Sequence, residues 1–138
     1  MPKPGQILAD YAFDSGNELH SLGGRVEVHV TARPLMNALT VHAKVVFGSE
    51  GAEAVLSAFE HVRIDEEGRA FRHRYNYHVT FEDDFCFRYD HDPVQHPDQP
   101  HHKHLPEKRG RRRVQPTSEV SLREVAEEIH ELVQARTS

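Results

Sequence analysis

Between residues 71 and 89 the sequence spells out two strands and the turn that joins them. Phe71, His73, Tyr75, Tyr77, Val79 and Phe81 alternate with Arg72, Arg74, Asn76, His78 and Thr80; after Glu82-Asp83-Asp84, Phe85, Phe87 and Tyr89 alternate with Cys86, Arg88 and Asp90. Such a period of two sends one set of side chains to a buried face and the other to a solvated one, the mark of an antiparallel sheet covered on one side. A two-residue turn at Glu82-Asp83 would set Val79 opposite Cys86 and mix the two faces along the ribbon. A three-residue loop, Glu82 to Asp84, instead sets Phe81 against Phe85, Val79 against Phe87 and Tyr77 against Tyr89. Because a one-residue slip turns every side chain over, burial selects the second arrangement. It also pairs His78 with Arg88, Asn76 with Asp90 and Arg74 with Asp92, so one polar face carries Arg72, Arg74, Arg88 and Asp90 together.

The remaining elements follow the same logic. Val26, Val28 and Val30 alternate with Arg25, Glu27, His29 and Thr31, and Leu39, Val41, Ala43, Val45 and Phe47 resume the pattern after a break at Arg33-Pro34. Ile7 to Phe13 is a weaker strand candidate that ends in the turn signal Ser15-Gly16-Asn17. Ala54 to Ile64 is read as a strand, although Val55, Phe59 and Val62 also fit a helical face. From His91 to Pro116 the periodicity disappears; Pro93, Pro97, Pro100 and Pro106 exclude helix and point to a stiff, extended surface loop. Ser121 with Glu124 forms a capping box that opens a closing helix, with Leu122, Val125, Ile129, Leu132 and Val133 as its buried stripe and Val120 as a staple onto Val125. The expected class is α+β: an antiparallel meander with a C-terminal helix on one face, a single domain over residues 1–138.

Composition narrows the function. The chain has 138 residues and one cysteine, Cys86, so it forms no internal disulfide and is expected in a reducing cytoplasm. No apolar window is long enough for a membrane span, and Met1 to Asp10 lack the layout of an export signal. A net charge of −5 excludes a uniformly basic nucleic-acid binder, yet His101 to Arg113 alone carries +5 and the rest −10. Five of the twelve histidines, His91, His96, His101, His102 and His104, fall in that neighbourhood.

Clustered imidazoles can act as a general acid and a general base near neutral pH. His101, His102 and His104 are the acid–base candidates, Asp90 the carboxylate that orients one of them, and Arg88 and Lys103 the cations that hold a phosphate, with Arg72 and Arg74 as further phosphate contacts. These are the parts for metal-free RNA cleavage by the ribose 2′-hydroxyl. As metal ligands the histidines fit less well: in an extended segment His102 and His104 face one way and His101 the other, and zinc would need a third ligand from His91, His96 or Asp90. No cofactor is therefore expected, a divalent metal being the alternative. The bland reading is a solvated His-rich surface. Arg72, Arg74 and Arg88 on such a face are more often cross-strand partners of acids than phosphate contacts, and Arg109 to Arg113 is either an electrostatic arm or a hairpin tip around Gly110. Tyr75 and Tyr77 belong to the core by their period; Tyr89, next to the His-rich segment, and His91 stay open between core and site. Cys86 reads as a packing residue and His130 as an exposed one.

Arg88-Tyr89-Asp90, a Pro/His-rich stretch, Pro100-His101-His102-Lys103-His104, then Gln115-Pro116-Thr117-Ser118 and the helix opening Ser121-Leu122-Arg123-Glu124-Val125 together resemble the TumE-type toxins of toxin–antitoxin operons, as does Arg74-Tyr75-Asn76-Tyr77-His78 in front. The likeness runs from Phe71 to Val133. It departs from the family pattern at His91, where that pattern has Asn, and at Val94-Gln95-His96, in a shorter Pro/His stretch. Met1 to Arg69 is of unrecognised type and is read as an added or divergent sheet portion in front of the toxin-like residues 70–138. The resemblance implies a toxin paired with a helix-turn-helix antitoxin and acting on RNA or translation; the alternative is a non-catalytic module whose His-rich segment binds a divalent metal or a protein partner.

Overall fold

The computed structural model describes residues 3–33 and 37–137; Pro34 of the expected break lies outside them. Seven strands form one antiparallel sheet in sequence order: β1 (Arg25–Arg33), β2 (Ala38–Ser49), β3 (Ala52–Ile64), β4 (Ala70–Phe81), β5 (Asp84–His91), β6 (His101–Lys108) and β7 (Arg111–Pro116). Helices α1 (Pro4–His20) and α2 (Leu122–Thr137) pack on one face. The alternating residues Leu39, Val41, Val45, Phe47, Leu56, Tyr77 and Val79 meet Leu8 and Leu19 of α1 and Val125 and Ile129 of α2. No helix among the described residues lies on the opposite face. β3 and β4 pair along their length, so the sheet is continuous across residue 69. No helix among the described residues is long and apolar enough to cross a membrane.

Four expectations are corrected. The Ile7–Phe13 strand is part of α1: Pro4 fits the first turn, and Leu8, Ser15 and Leu19 are buried at helical spacing, while Phe13, which a strand would bury, is 70% exposed. The segment 91–116 is a hairpin rather than one long loop. Pro93 and Pro97 sit in the turns before β6, and Pro106 falls where β6 has passed the end of its pairing with β5 and is bulged against β7, so no ladder hydrogen bond is lost to it. Gly110 lies at a hairpin tip with Arg109, both at positive φ. The β4–β5 register holds from Tyr77↔Tyr89 to Val79↔Phe87, but it is reached by a two-residue turn at Glu82-Asp83 plus a bulge. Phe85 consequently pairs with Thr80 rather than Phe81 and leaves the core face for a place beside the His78 ring.

The fourth correction matters most. A bulge at His73 shifts the β3–β4 register, so Val62 faces Arg72 and Arg63 faces Phe71. Phe71 is turned out, 39% exposed, and Arg72 is turned under the helices. There it donates to the Tyr77 hydroxyl at 2.7 Å and the Val120 carbonyl at 2.8 Å, and pairs with Glu119 at 2.7 Å. Glu60, only 3% exposed, accepts from the hydroxyls of Tyr11 and Tyr77 beside it. A charge brought into the core is tolerated when it is hydrogen-bonded this fully. The capping box closes as expected, with Ser121 and Glu124 exchanging two bonds of 3.1 Å. His130, exposed as expected, also bonds the Leu22 carbonyl that follows α1, at 2.8 Å.

Candidate active site

Strict pairing lines up side chains across the uncovered face. One row runs His29, His42, Phe59, Asn76, Asp90 and His102 from β1 to β6; the next runs Glu27, Lys44, Ser57, His78, Arg88 and His104. Each row obeys the period of two that the sequence displays, and neighbouring strands lie about 4.8 Å apart, so residues within a row are neighbours.

Asp90 is the hub. Its carboxylate accepts from Asn76 Nδ2 at 2.9 Å, from Arg88 Nε at 3.0 and 3.1 Å, and lies 3.0 Å from His104 Nε2. With the proton on Nε2 directed to Asp90, the His104 ring keeps Nδ1 as its basic nitrogen. Burial holds the His104 pKa below the ordinary histidine range; the Arg88 guanidinium pushes the same way, and the Asp90 charge opposes them. The shift favours the neutral imidazole. The segment after β5 folds back over this point because the Asp92 carboxylate accepts from the backbone N–H groups of Val94 and Gln95, each at 3.1 Å. That turn sets the His96 ring edge-on to His102, 5.0 Å between centroids, and Arg74 stands 4.0 Å from Asp92. Together they border a hollow of about 210 Å³ lined by Arg74, Arg88, Asp90, His96, His102 and His104.

The other sequence candidates lie on the helix side. Val120 N–H donates to the Tyr75 hydroxyl at 3.1 Å, and that hydroxyl is 3.0 Å from His101 Nδ1, which it can serve as donor. The His91 ring stacks on His101 at 4.2 Å, and His91 Nδ1 is buried with no hydrogen-bond partner among the described residues. Burial lowers both imidazole pKa values, and His101 further lowers that of His91. Lys103 pairs with Glu128 of α2 at 2.6 Å and lies 5.0 Å over the rings of Phe87 and Tyr89; the Tyr89 hydroxyl donates to the same carboxylate at 2.6 Å. The structure therefore brings His102, His104, Asp90, Arg88 and Arg74 to one surface. It puts His101, His91, Lys103, Arg72 and Tyr89 behind the sheet, so the four-residue polar face expected of the hairpin loses Arg72 to the bulge.

Asn76 and Phe59 enter the site without having been singled out for it, and His96 enters it although the sequence raised it only as a possible metal ligand. Asn76 was legible through its register opposite Asp90, whereas the turn that delivers His96 carries no periodic signal. Among the described residues no group of three His, Cys, Asp or Glu side chains is arranged to hold a metal ion.

The family described as Toxin TumE matches residues 26–136. The match begins in β1, so it takes in the sheet portion before residue 70 that resembled nothing on sequence, and α1 lies outside it. No curated protein and no solved structure matches the chain.

Proposed function

The chain belongs to the TumE toxin family, and from that premise we propose that it cleaves RNA without a metal ion, using the site on the uncovered face. Membership makes it the toxin component of a toxin–antitoxin pair, with an antitoxin as its partner. The resemblance further points to a helix-turn-helix antitoxin, and an RNA target puts the action in the cytoplasm. The reading rests on one observation above the others: the imidazole of His104 lies 3.0 Å from a carboxylate, Asp90, that itself accepts from Arg88 and Asn76.

In the proposed reaction, His104 Nδ1 takes the proton from a ribose 2′-hydroxyl, whose oxygen attacks the adjacent phosphorus. Arg88 and Arg74 hold the phosphate and offset the charge that builds on its oxygens. His102 or His96, which line the same hollow, gives a proton to the departing 5′-oxygen. The P–O5′ bond breaks, leaving a 2′,3′-cyclic phosphate and a free 5′-hydroxyl. Asp90 stabilises the imidazolium that forms on His104.

Expression of the chain without its antitoxin is expected to arrest growth, and replacing His102 and His104 together by Ala to relieve the arrest at equal soluble protein. Undiminished arrest by that double variant would move the chemistry elsewhere, and normal growth with the intact soluble chain would remove the toxin activity altogether.

A further inference from the structure

A second hollow, of about 260 Å³, adjoins the first on the same face, and the two share Phe59 and Asn76 as a common wall. His29, His42, Lys44 and His78 also line it. Phe59 is half-buried on β3, with the exposed His42 ring at 5.0 Å and tilted by 57°. Lys44 lies opposite Glu27 across the strands without an ion pair among the described residues. We propose that this hollow is a nucleotide subsite: it receives the base and sugar of the single-stranded RNA residue next to the cleaved phosphate, with the base against the Phe59–His42 pair and Lys44 on the neighbouring phosphate. This deepens the ribonuclease reading and depends on it for the identity of the cleaved bond.

Three features favour a nucleic-acid strand over a protein segment. An aromatic face where a mostly apolar hollow meets a polar one is what a base needs and is indifferent to sequence. From His42 on β2 to Asp90 on β5 is three strand spacings, about 14 Å, the scale of a few nucleotides laid across the sheet. The third is charge. The uncovered face presents Arg25, Lys44, Arg63, Arg74 and Arg88 beside Glu27, Glu53, Asp90 and Asp92; Arg25, Arg74 and Arg88 are paired with Glu53, Asp92 and Asp90, whereas Lys44 and Arg63 make no ion pair among the described residues, and further exposed acids such as Asp10, Asp14, Glu124 and Glu127 ride on the helices behind. Lys44 and Arg63 are thus the cations on this side that can take a phosphate without first losing a partner.

The test is fluorescence-anisotropy binding of a fluorescein-labelled single-stranded RNA, 2′-O-methylated throughout so that it cannot be cut. It compares the intact chain with Phe59→Ala, Phe59→Leu and His42→Ala, each checked for native circular dichroism. Removing the aromatic face is expected to weaken binding about tenfold, Phe59→Leu included, and on an unmodified RNA the same loss falls mainly on KM. Phe59-dependent binding without any cleavage by the intact chain would uphold the subsite and overturn the ribonuclease reading. Equal affinity of all four proteins, or no binding by the intact chain, would overturn the subsite even if cleavage is found. Variants that bind RNA normally but lose the antitoxin would likewise overturn it, in favour of a protein-contacting face.

Discussion

His104 and Asp90 meet across β5 and β6 at 3.0 Å, Nε2 to Oδ2, and Arg88 joins the same carboxylate from one residue pair along the strand. The contact directs Nε2 to the carboxylate, while burial and the Arg88 guanidinium lower the imidazole pKa against the pull of Asp90. Asp90→Asn preserves shape and removes the charge that stabilises an imidazolium. Single-turnover RNA cleavage is expected to fall by about 10²–10⁴-fold, with circular dichroism unchanged; a loss of less than tenfold would assign Asp90 a purely structural role.

Acid should unfold this protein through its histidines. Burial is the first cause that lowers the pKa of His61, His73, His78, His91, His101 and His104. Below the ordinary imidazole value of about 6.5, the unfolded chain takes up protons that the folded chain refuses. Stability therefore falls as pH drops through that value toward the lower folded pKa values, and these groups contribute no further change above it. The urea midpoint is expected to decline between pH 7 and pH 5, and His61→Gln with His73→Gln to flatten the decline. A midpoint independent of pH over that interval would contradict the burial argument.

The same shift sets the acid limb of activity. For the intact chain the midpoint of kcat/KM on the acid side is expected below about 6.5, because His104 gives up its proton more readily than a free imidazole does. Arg88→Gln removes the guanidinium that, with His102, repels a proton on His104, and is expected to move that midpoint upward, besides weakening substrate binding. NMR titration of the His104 ring measures the shift directly.

Behind the sheet, Tyr77 connects buried Glu60 to Arg72. Tyr77→Phe removes a donor to the carboxylate and an acceptor for the guanidinium, at an expected cost of about 1–3 kcal/mol in urea denaturation. A neutral outcome would mean that water replaces the hydroxyl. At the β4–β5 turn, Asp83 holds φ at 68°, and Asp83→Gly is expected to stabilise by about 1 kcal/mol.

The sheet was legible wherever one face is apolar. Val26 to Thr31, Leu39 to Phe47 and Phe71 to Tyr89 announce themselves by alternation, and burial fixed the pairing of Asn76 with Asp90 and His78 with Arg88. What alternation cannot show is an inserted residue. The bulge at His73 exchanges Arg72 for Phe71 on the core face, because three partners waiting behind the sheet (the Tyr77 hydroxyl, the Val120 carbonyl and Glu119) satisfy a guanidinium, and two of them come from residues more than 40 positions away. β6 was hidden for another reason: four prolines argue against a strand, yet each sits where no ladder bond is asked of it. Once His101 to Leu105 is a strand, its alternation divides the cluster, sending His102 and His104 to the open face and His101 and Lys103 to the helices. α1 misled because Ile7 to Phe13 contains apolar residues at both spacings, and only the buried Ser15 and Leu19 further on decide for the helix.

Metal-free chemistry at the Asp90–His104 pair is tested most directly by incubating the purified chain and its His104→Ala variant with a single-stranded RNA in excess EDTA and identifying the ends of the products. The predicted result is cleavage by the intact chain that leaves 2′,3′-cyclic phosphate and 5′-hydroxyl ends, reduced at least a hundredfold in the variant. Cleavage that stops in EDTA and returns with a divalent ion, or that His104→Ala leaves intact, would contradict it.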